Sequence, residues 1–353
     1  MLELRNLIDK LYEENYLNKD ELLELLSRID DAGRDYLMEK ACMTRDRYYG
    51  KKVFMRGLVE FTSYCKRRCI YCGINACNRN AQRYRLSMEQ ILACCKKGHE
   101  LGYRTFVLQG GEDSFYTDEI IVKIVAAIKK EFPSCAVTLS IGEKDYGSYK
   151  RYYDAGAERY LLRHETASKK LYDSLHPGMS FENRIECLWN LKEIGYQVGA
   201  GFMVGLPNQT LKDFVEDLCF LKKLKPHMVG IGPFIPHKDT VLASKKAGTV
   251  KMTVTLLAII RLLLPEVLLP ATTALGTVDP MGREKGLRAG ANVVMPNLSP
   301  VGVRKKYALY DGKVCTGEEA AECRSCIDRR IVSVGLIPDM SRGDNILWER
   351  KIQ

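Results

Sequence analysis

Nowhere in its 353 residues does the chain run to the roughly 18 consecutive apolar residues that a membrane span needs. Its opening, MLELRNLIDKLYEEN, mixes acids and bases and has neither an apolar signal core nor a small-residue cleavage site, so the expected localisation is cytoplasmic, with no membrane partner. No Pro- or Ser-rich linker and no low-complexity segment divides the chain, which leaves one domain with appendages as the simplest plan. No Gly-x-Gly-x-x-Gly follows the first apolar run, which argues against a doubly wound dinucleotide-binding sheet. Concentrated charge is missing too. The net charge of +10, from 54 Lys and Arg against 44 Asp and Glu, is spread along the chain with short knots at Lys66-Arg67-Arg68 and Arg304-Lys305-Lys306. A nucleic-acid partner would want a stripe or tail, so a solvated basic surface is the better reading.

What is there is ordinary in bulk, with 46% apolar and 28% charged residues, and a core of this size needs no disulfide staples. The thirteen cysteines are therefore read in a reducing setting. Cys94, Cys95, Cys187 and Cys219 sit in helical patterns, where a thiol packs as a small hydrophobe. Two clusters of cysteine need another account.

Residues 1–50 read as a helical extension, from the helical spacing of Leu4, Leu7, Ile8 and Leu11 and of Leu22, Leu23, Leu25 and Leu26. From there short apolar runs alternate with amphipathic segments. The runs are Val53–Phe61, Thr105–Leu108, Ala136–Ile141, Arg159–Leu162, Val198–Val204, Met228–Phe234, Leu268–Ala274 and Asn292–Met295. Eight buried-looking strands with helices between them predict an α/β fold of the (βα)8 TIM-barrel type over 51–310, followed by a tail over 311–353 with a second cysteine group. Such barrels do their chemistry at the C-terminal ends of the strands. Distinctive residues fall there: Cys65 to Cys72, Gln109-Gly110-Gly111-Glu112, Gly142-Glu143, Arg163-His164-Glu165-Thr166 and Thr272-Thr273.

Cys65-x3-Cys69-x2-Cys72 leaves the first strand as a loop. Four thiolates are usual for a cluster that only carries electrons, whereas three leave one iron open to bind and activate a small molecule. Zinc prefers two separated Cys or His pairs, and no partner pair lies at typical spacing. A fourth ligand from Cys77, closing the site, and three incidental thiols are the other readings.

This triplet, so placed, resembles the signature of the radical S-adenosylmethionine (SAM) superfamily. The resemblance implies a 4Fe-4S cluster on Cys65, Cys69 and Cys72, with SAM chelated to the free iron and cleaved to a 5'-deoxyadenosyl radical. Tyr71 then lies beside the adenine, and Gly110-Gly111-Glu112 resembles the element that meets the methionine ammonium. Longer stretches narrow it. Tyr160-Leu-Leu-Arg-His-Glu-Thr-Ala167, Ser180-Phe-Glu-Asn-Arg184, Gly199-Ala-Gly201, Met203-Val-Gly-Leu-Pro207, Val229-Gly-Ile-Gly-Pro-Phe-Ile-Pro-His237, Pro270-Ala-Thr-Thr-Ala274 and Ala291-Asn-Val-Val-Met-Pro-Asn297 are similar to the HydE family of FeFe-hydrogenase maturases, relatives of biotin synthase and methylornithine synthase.

That likeness implies a tunnel through the barrel, with Ser140, Glu165 and Arg184 on SAM and with Gln109, Thr138, Arg159, Arg163, Met228, Thr272, Thr273, Met295 and Tyr310 around an anionic substrate. It implies an iron–cysteine complex carrying carbon monoxide and cyanide as that substrate, with sister maturases and an electron donor as partners. The plainer alternatives are that Glu165 and Arg184 are surface charges, the lesser reading of those two, that Met228 and Met295 are core filler, and that His164 and His237 are structural. Cys315-x7-Cys323-x2-Cys326 matches a C-terminal triplet of part of the family that holds an auxiliary cluster; a second iron–sulfur cluster, zinc and an empty site stay open. Two rival functions remain. One is a biotin-synthase-like enzyme, a sulfur inserter or a methylornithine-type mutase; the other is a non-catalytic metal- or nucleic-acid-binding barrel.

Overall fold

The computed structural model describes residues 2–349. Its strands are β1 (Lys52–Met55), β2 (Gly57–Thr62), β3 (Thr105–Gly110), β4 (Ala136–Ser140), β5 (Ala157–Leu161), β6 (Gln197–Ala200), β7 (Met203–Val204), β8 (Met228–Val229), β9 (Gly232–Pro233), β10 (Val293–Val294) and β11 (Ile337–Asp339). Strands β2-β3-β4-β5-β6-β8 pair in parallel in that order. Bridges Met228–Leu268, Pro270–Val293 and Leu58–Asn297 carry the parallel pairing onward through 268–270 and 293–297 and back to β2. The ring of pairings closes, as a barrel requires. Each of the eight apolar runs lies on it.

The strands are buried on both faces because helices cover the outside. Local sequence starts several of those helices. Asn18 with Glu21, Ser87 with Gln90 and Thr210 with Asp213 form reciprocal capping boxes. Helix Val250–Leu263 is buried from Thr253 to Leu263 without a polar face. The reason is a second layer: the N-terminal helices Leu2–Glu14 and Asp31–Tyr49 pack on its outer side while its inner side covers the barrel. Each fully buried Leu or Ile there contributes about 1.5–3 kcal/mol, so the extension belongs energetically to the barrel.

The tail departs from a loose appendage. After helix Ala320–Val332, β11 pairs in parallel with β1, and residues 342–345 then cross beneath the barrel. There Arg159 donates to Asp344 Oδ1 (2.7 Å), to the Arg342 carbonyl (2.7 Å) and to Thr105 Oγ1 (3.1 Å). Gln197 donates to Asp344 Oδ1 at 2.6 Å, and Asn345 donates to the carbonyls of His227 and Glu266. Residues 342–345 thus lie across the lower mouth.

Candidate active site

The upper ends of the strands surround a cavity of about 360 Å³, a size suited to a small-molecule cofactor. Cys65, Cys69 and Cys72 form part of its wall. Their loop is pinned from below. Arg83 donates to the carbonyls of Ile74, Asn75 and Asn78, and Asn78 donates to that of Gly73. Burial pushes all three thiols up, Cys72 to about 12, so a metal must displace their protons to bind. Among the described residues no three His, Cys, Asp or Glu side chains close round a single ion. A zinc ion needs that convergence at about 2.3 Å per sulfur, whereas an iron–sulfur cubane takes its thiolates at separate corners. The donors are all thiols, and Gly111 packs bare backbone tightly against their loop. A side chain at Gly111 would meet the Tyr64 carbonyl at 2.2 Å and Cys65 Cβ at 2.7 Å.

Above the thiols runs a chain of buried charges. Arg67 donates to Glu112 Oε2 at 2.6 Å and to Glu143 Oε2 at 2.9 Å. Arg184 donates to Glu143 Oε1 at 2.6 Å and to the Arg163 carbonyl at 2.7 Å. Glu112 Oε1 accepts from the Glu143 amide at 3.1 Å, and Gly142 at φ +79° is held against the Glu112 side chain, which a Cβ would strike at 2.2 Å. Burial opposes the Arg184 charge, yet Tyr172, Glu143 and Glu165 outweigh it and hold its pKa above the ordinary value. Glu165 has φ +68°, a left-handed conformation uncommon outside glycine, fixed by backbone bonds from its amide to Gly201 and from the Met203 amide to its carbonyl. Arg163 Nη2 stands 3.1 Å from Glu165 Oε2 but off the hydrogen-bond angle, which leaves that buried oxygen without a donor. A ribose hydroxyl would satisfy it.

Of the expected residues, Tyr71, Gln109, Gly110, Gly111, Glu112, Ser140, Arg163, Glu165, Arg184, Thr272, Thr273, Met295 and Tyr310 line this cavity. Tyr71 is aimed by a 3.1 Å contact from its hydroxyl to His176 Nε2, and Gln109 Nε2 donates to Tyr307 at 3.3 Å. Thr138 and Met228 line a smaller cavity of about 20 Å³ instead; it shares Leu161, Gly230, Pro270 and Met295 with the large one and so lies against it. Arg159 lines neither. Its expected place around the substrate is corrected by the fold, because a fully buried guanidinium needs a counter-charge and the tail supplies Asp344 below.

Sequence reading missed several groups. Glu143 was marked only by ending the third strand, and Arg67 only as a neighbour of the thiols. Lys313, which donates to Glu60 Oε1 at 2.5 Å, and Arg283, which donates to Thr273 Oγ1 at 3.3 Å, also line the cavity. No local signal marks a tail lysine as a cavity residue. His164 is fully buried, 3.2 Å from Asp217 Oδ1, and burial lowers it to about 3, so it stays neutral as a brace. Arg283 also reaches the tail, its guanidinium nitrogens 3.4 and 3.5 Å from Cys315 Sγ. The neighbouring Cys323 thiol and the Arg283 guanidinium pull the Cys315 thiol down. Cys326 lies one helical turn beyond Cys323 in the same helix.

The radical SAM superfamily model matches residues 59–221. The "[FeFe] hydrogenase maturase subunit HydE" of Thermotoga maritima is 45% identical over 339 residues, covering 96% of this chain and 97% of the relative. The "3-methylornithine synthase" of Methanosarcina acetivorans is 30% identical, covering 94% and 93%. A crystal structure of methylornithine synthase (PylB) superposes with a TM-score of 0.84 at 28% identity, covering 94% of this chain and 97% of that one. The hydrogenase maturase HydG, at 20% identity and a TM-score of 0.81 over 96% and 76%, shares the fold. Barrel, thiol triplet and cavity together define a radical SAM enzyme, and that membership implies a 4Fe-4S cluster and SAM. Within the superfamily the chain belongs to the HydE family.

Proposed function

We propose that this protein is a maturase in assembly of the FeFe-hydrogenase active site, acting on an iron–cysteine complex that carries carbon monoxide and cyanide. Cys65, Cys69 and Cys72 would hold the cluster; Tyr71, Glu112, Ser140, Glu165 and Arg184 would hold SAM. When bound, these two groups supply a 5'-deoxyadenosyl radical. The side chains bind, orient and exclude water.

The observation that carries the substrate class is the charge inside the cavity. Its wall bears five cations, Arg67, Arg163, Arg184, Arg283 and Lys313, against three carboxylates, Glu60, Glu112 and Glu165. The one carboxylate away from the SAM end, Glu60, is engaged by Lys313 and Asn297. Nothing acidic is spare there to receive the side-chain amine of a basic amino acid, which disfavours a methylornithine-type mutase. A cyanide-bearing anion meets cations and the hydroxyls of Thr272, Thr273 and Tyr310.

The test is anaerobic. Iron-loaded protein with reductant should convert SAM to 5'-deoxyadenosine, and Cys69→Ala should abolish the conversion. Addition of an iron–cyanide–carbonyl cysteine complex should raise the rate and consume the complex. Turnover with a basic amino acid and none with the iron complex overturns the maturase reading while sparing the superfamily.

A further inference from the structure

From Phe61 to Met88 the chain has six cations and not one acid. Three of the six are spoken for: Arg67 by Glu112 and Glu143, Arg83 by backbone carbonyls, and Arg85 by Asp113. Lys66, Arg68 and Arg79 are exposed and have no acidic partner among the described residues. They sit on the loop whose thiols face the cavity, and Lys66 and Arg68 lie between Cys65 and Cys69. Beside them Tyr64 and Phe115 are 37% and 54% exposed, with Arg85 stacked between them at 3.8 and 4.8 Å from the two ring centroids. Large aromatics left in water around a fixed guanidinium, next to a loop that carries free cations, have the make-up of an association surface.

From this juxtaposition we infer that the outer face of the 64–79 loop, with Phe115, docks an acidic one-electron carrier protein of the ferredoxin or flavodoxin class. This rests on the cluster reading of Cys65, Cys69 and Cys72. Charge complementarity selects the partner's sign, and the position selects its chemistry, because the loop is the covalent connection between this surface and the iron-binding sulfurs. In the step itself one electron leaves the reduced carrier and enters the oxidised cluster; no bond forms or breaks. The unpaired cations steer encounter, and the aromatics supply desolvated contact.

The experiment titrates iron-loaded protein with an oxidised acidic flavodoxin by calorimetry at low and at physiological salt. Binding that weakens as salt rises is expected. The Arg68→Glu/Arg79→Glu double variant should weaken it about tenfold and flatten the salt dependence, while Lys19→Glu/Lys123→Glu, an equal charge change away from the loop, should not. Phe115→Ala, which touches no thiol, serves as the second variant and should weaken binding at every salt concentration. Reduction of the cluster by dithionite, followed by its visible absorption, should be unaltered in Phe115→Ala. Cluster absorption without salt-sensitive flavodoxin binding, or binding that both variants leave intact, overturns the docking surface alone. Protein that takes up no cluster overturns the site reading and the docking inference with it.

Discussion

Glu143 serves two arginines at once, and that shared carboxylate sets the expectation for Arg184. Arg184→Lys keeps the charge but cannot reach both Glu143 and the Arg163 carbonyl. Its Kd for SAM should rise about tenfold, roughly 1.4 kcal/mol, in calorimetry on iron-loaded protein; an unchanged Kd removes Arg184 from the SAM site. At the other end of the barrel, burial raises the Asp344 carboxyl, but the Arg342 hydrogen bond and the Arg159 charge outweigh it and hold the group below its ordinary 3.8. A carboxyl depressed by folding stabilises above its unfolded pKa, and the contribution drains away as pH falls through the folded value. Asp344→Asn should therefore be less stable than the parent at neutral pH, with the gap narrowing below about pH 4. Parallel acid titrations followed by near-ultraviolet circular dichroism check this, and a gap that widens in acid contradicts it.

Among the elements, the eight parallel strands were legible because each is a short apolar run buried on both faces. The tail was not. Ile337–Asp339 is three residues long, contains Pro338 and carries no periodicity, and it becomes a strand only because β1 offers it an edge. Arg159 was legible as an inward cation, but its partner lies 185 residues away, a distance that spacing does not encode. Thiols, the Gly110-Gly111-Glu112 turn and the strand-end charges were readable as a site because barrel topology gathers strand ends; the strap that brings Lys313 to Glu60 was not. Ending the chain at Gly335 removes β11 and strips Arg159 of its Asp344 counter-charge. An unpaired buried ion costs about 3–5 kcal/mol, so the truncated protein should show a clearly lowered unfolding midpoint in thermal scans. An unchanged midpoint would make the tail ornamental.

For the molecule as a whole, cofactor and fold are linked. A ligand that binds only the folded state at a hundredfold excess over its Kd stabilises by about 2.7 kcal/mol. SAM should raise the unfolding temperature of iron-loaded protein and leave that of Cys69→Ala where it was, as differential scanning calorimetry would report. The chain end across the lower mouth bears on sequence in time. With 342–345 across the floor, the proposed function carries an order of events: a guest seated deep among Thr272, Thr273 and Lys313 would have to arrive ahead of a cofactor held nearer the rim, and would leave only after the cofactor's fragments had cleared. Traffic on that proposal would be last in, first out.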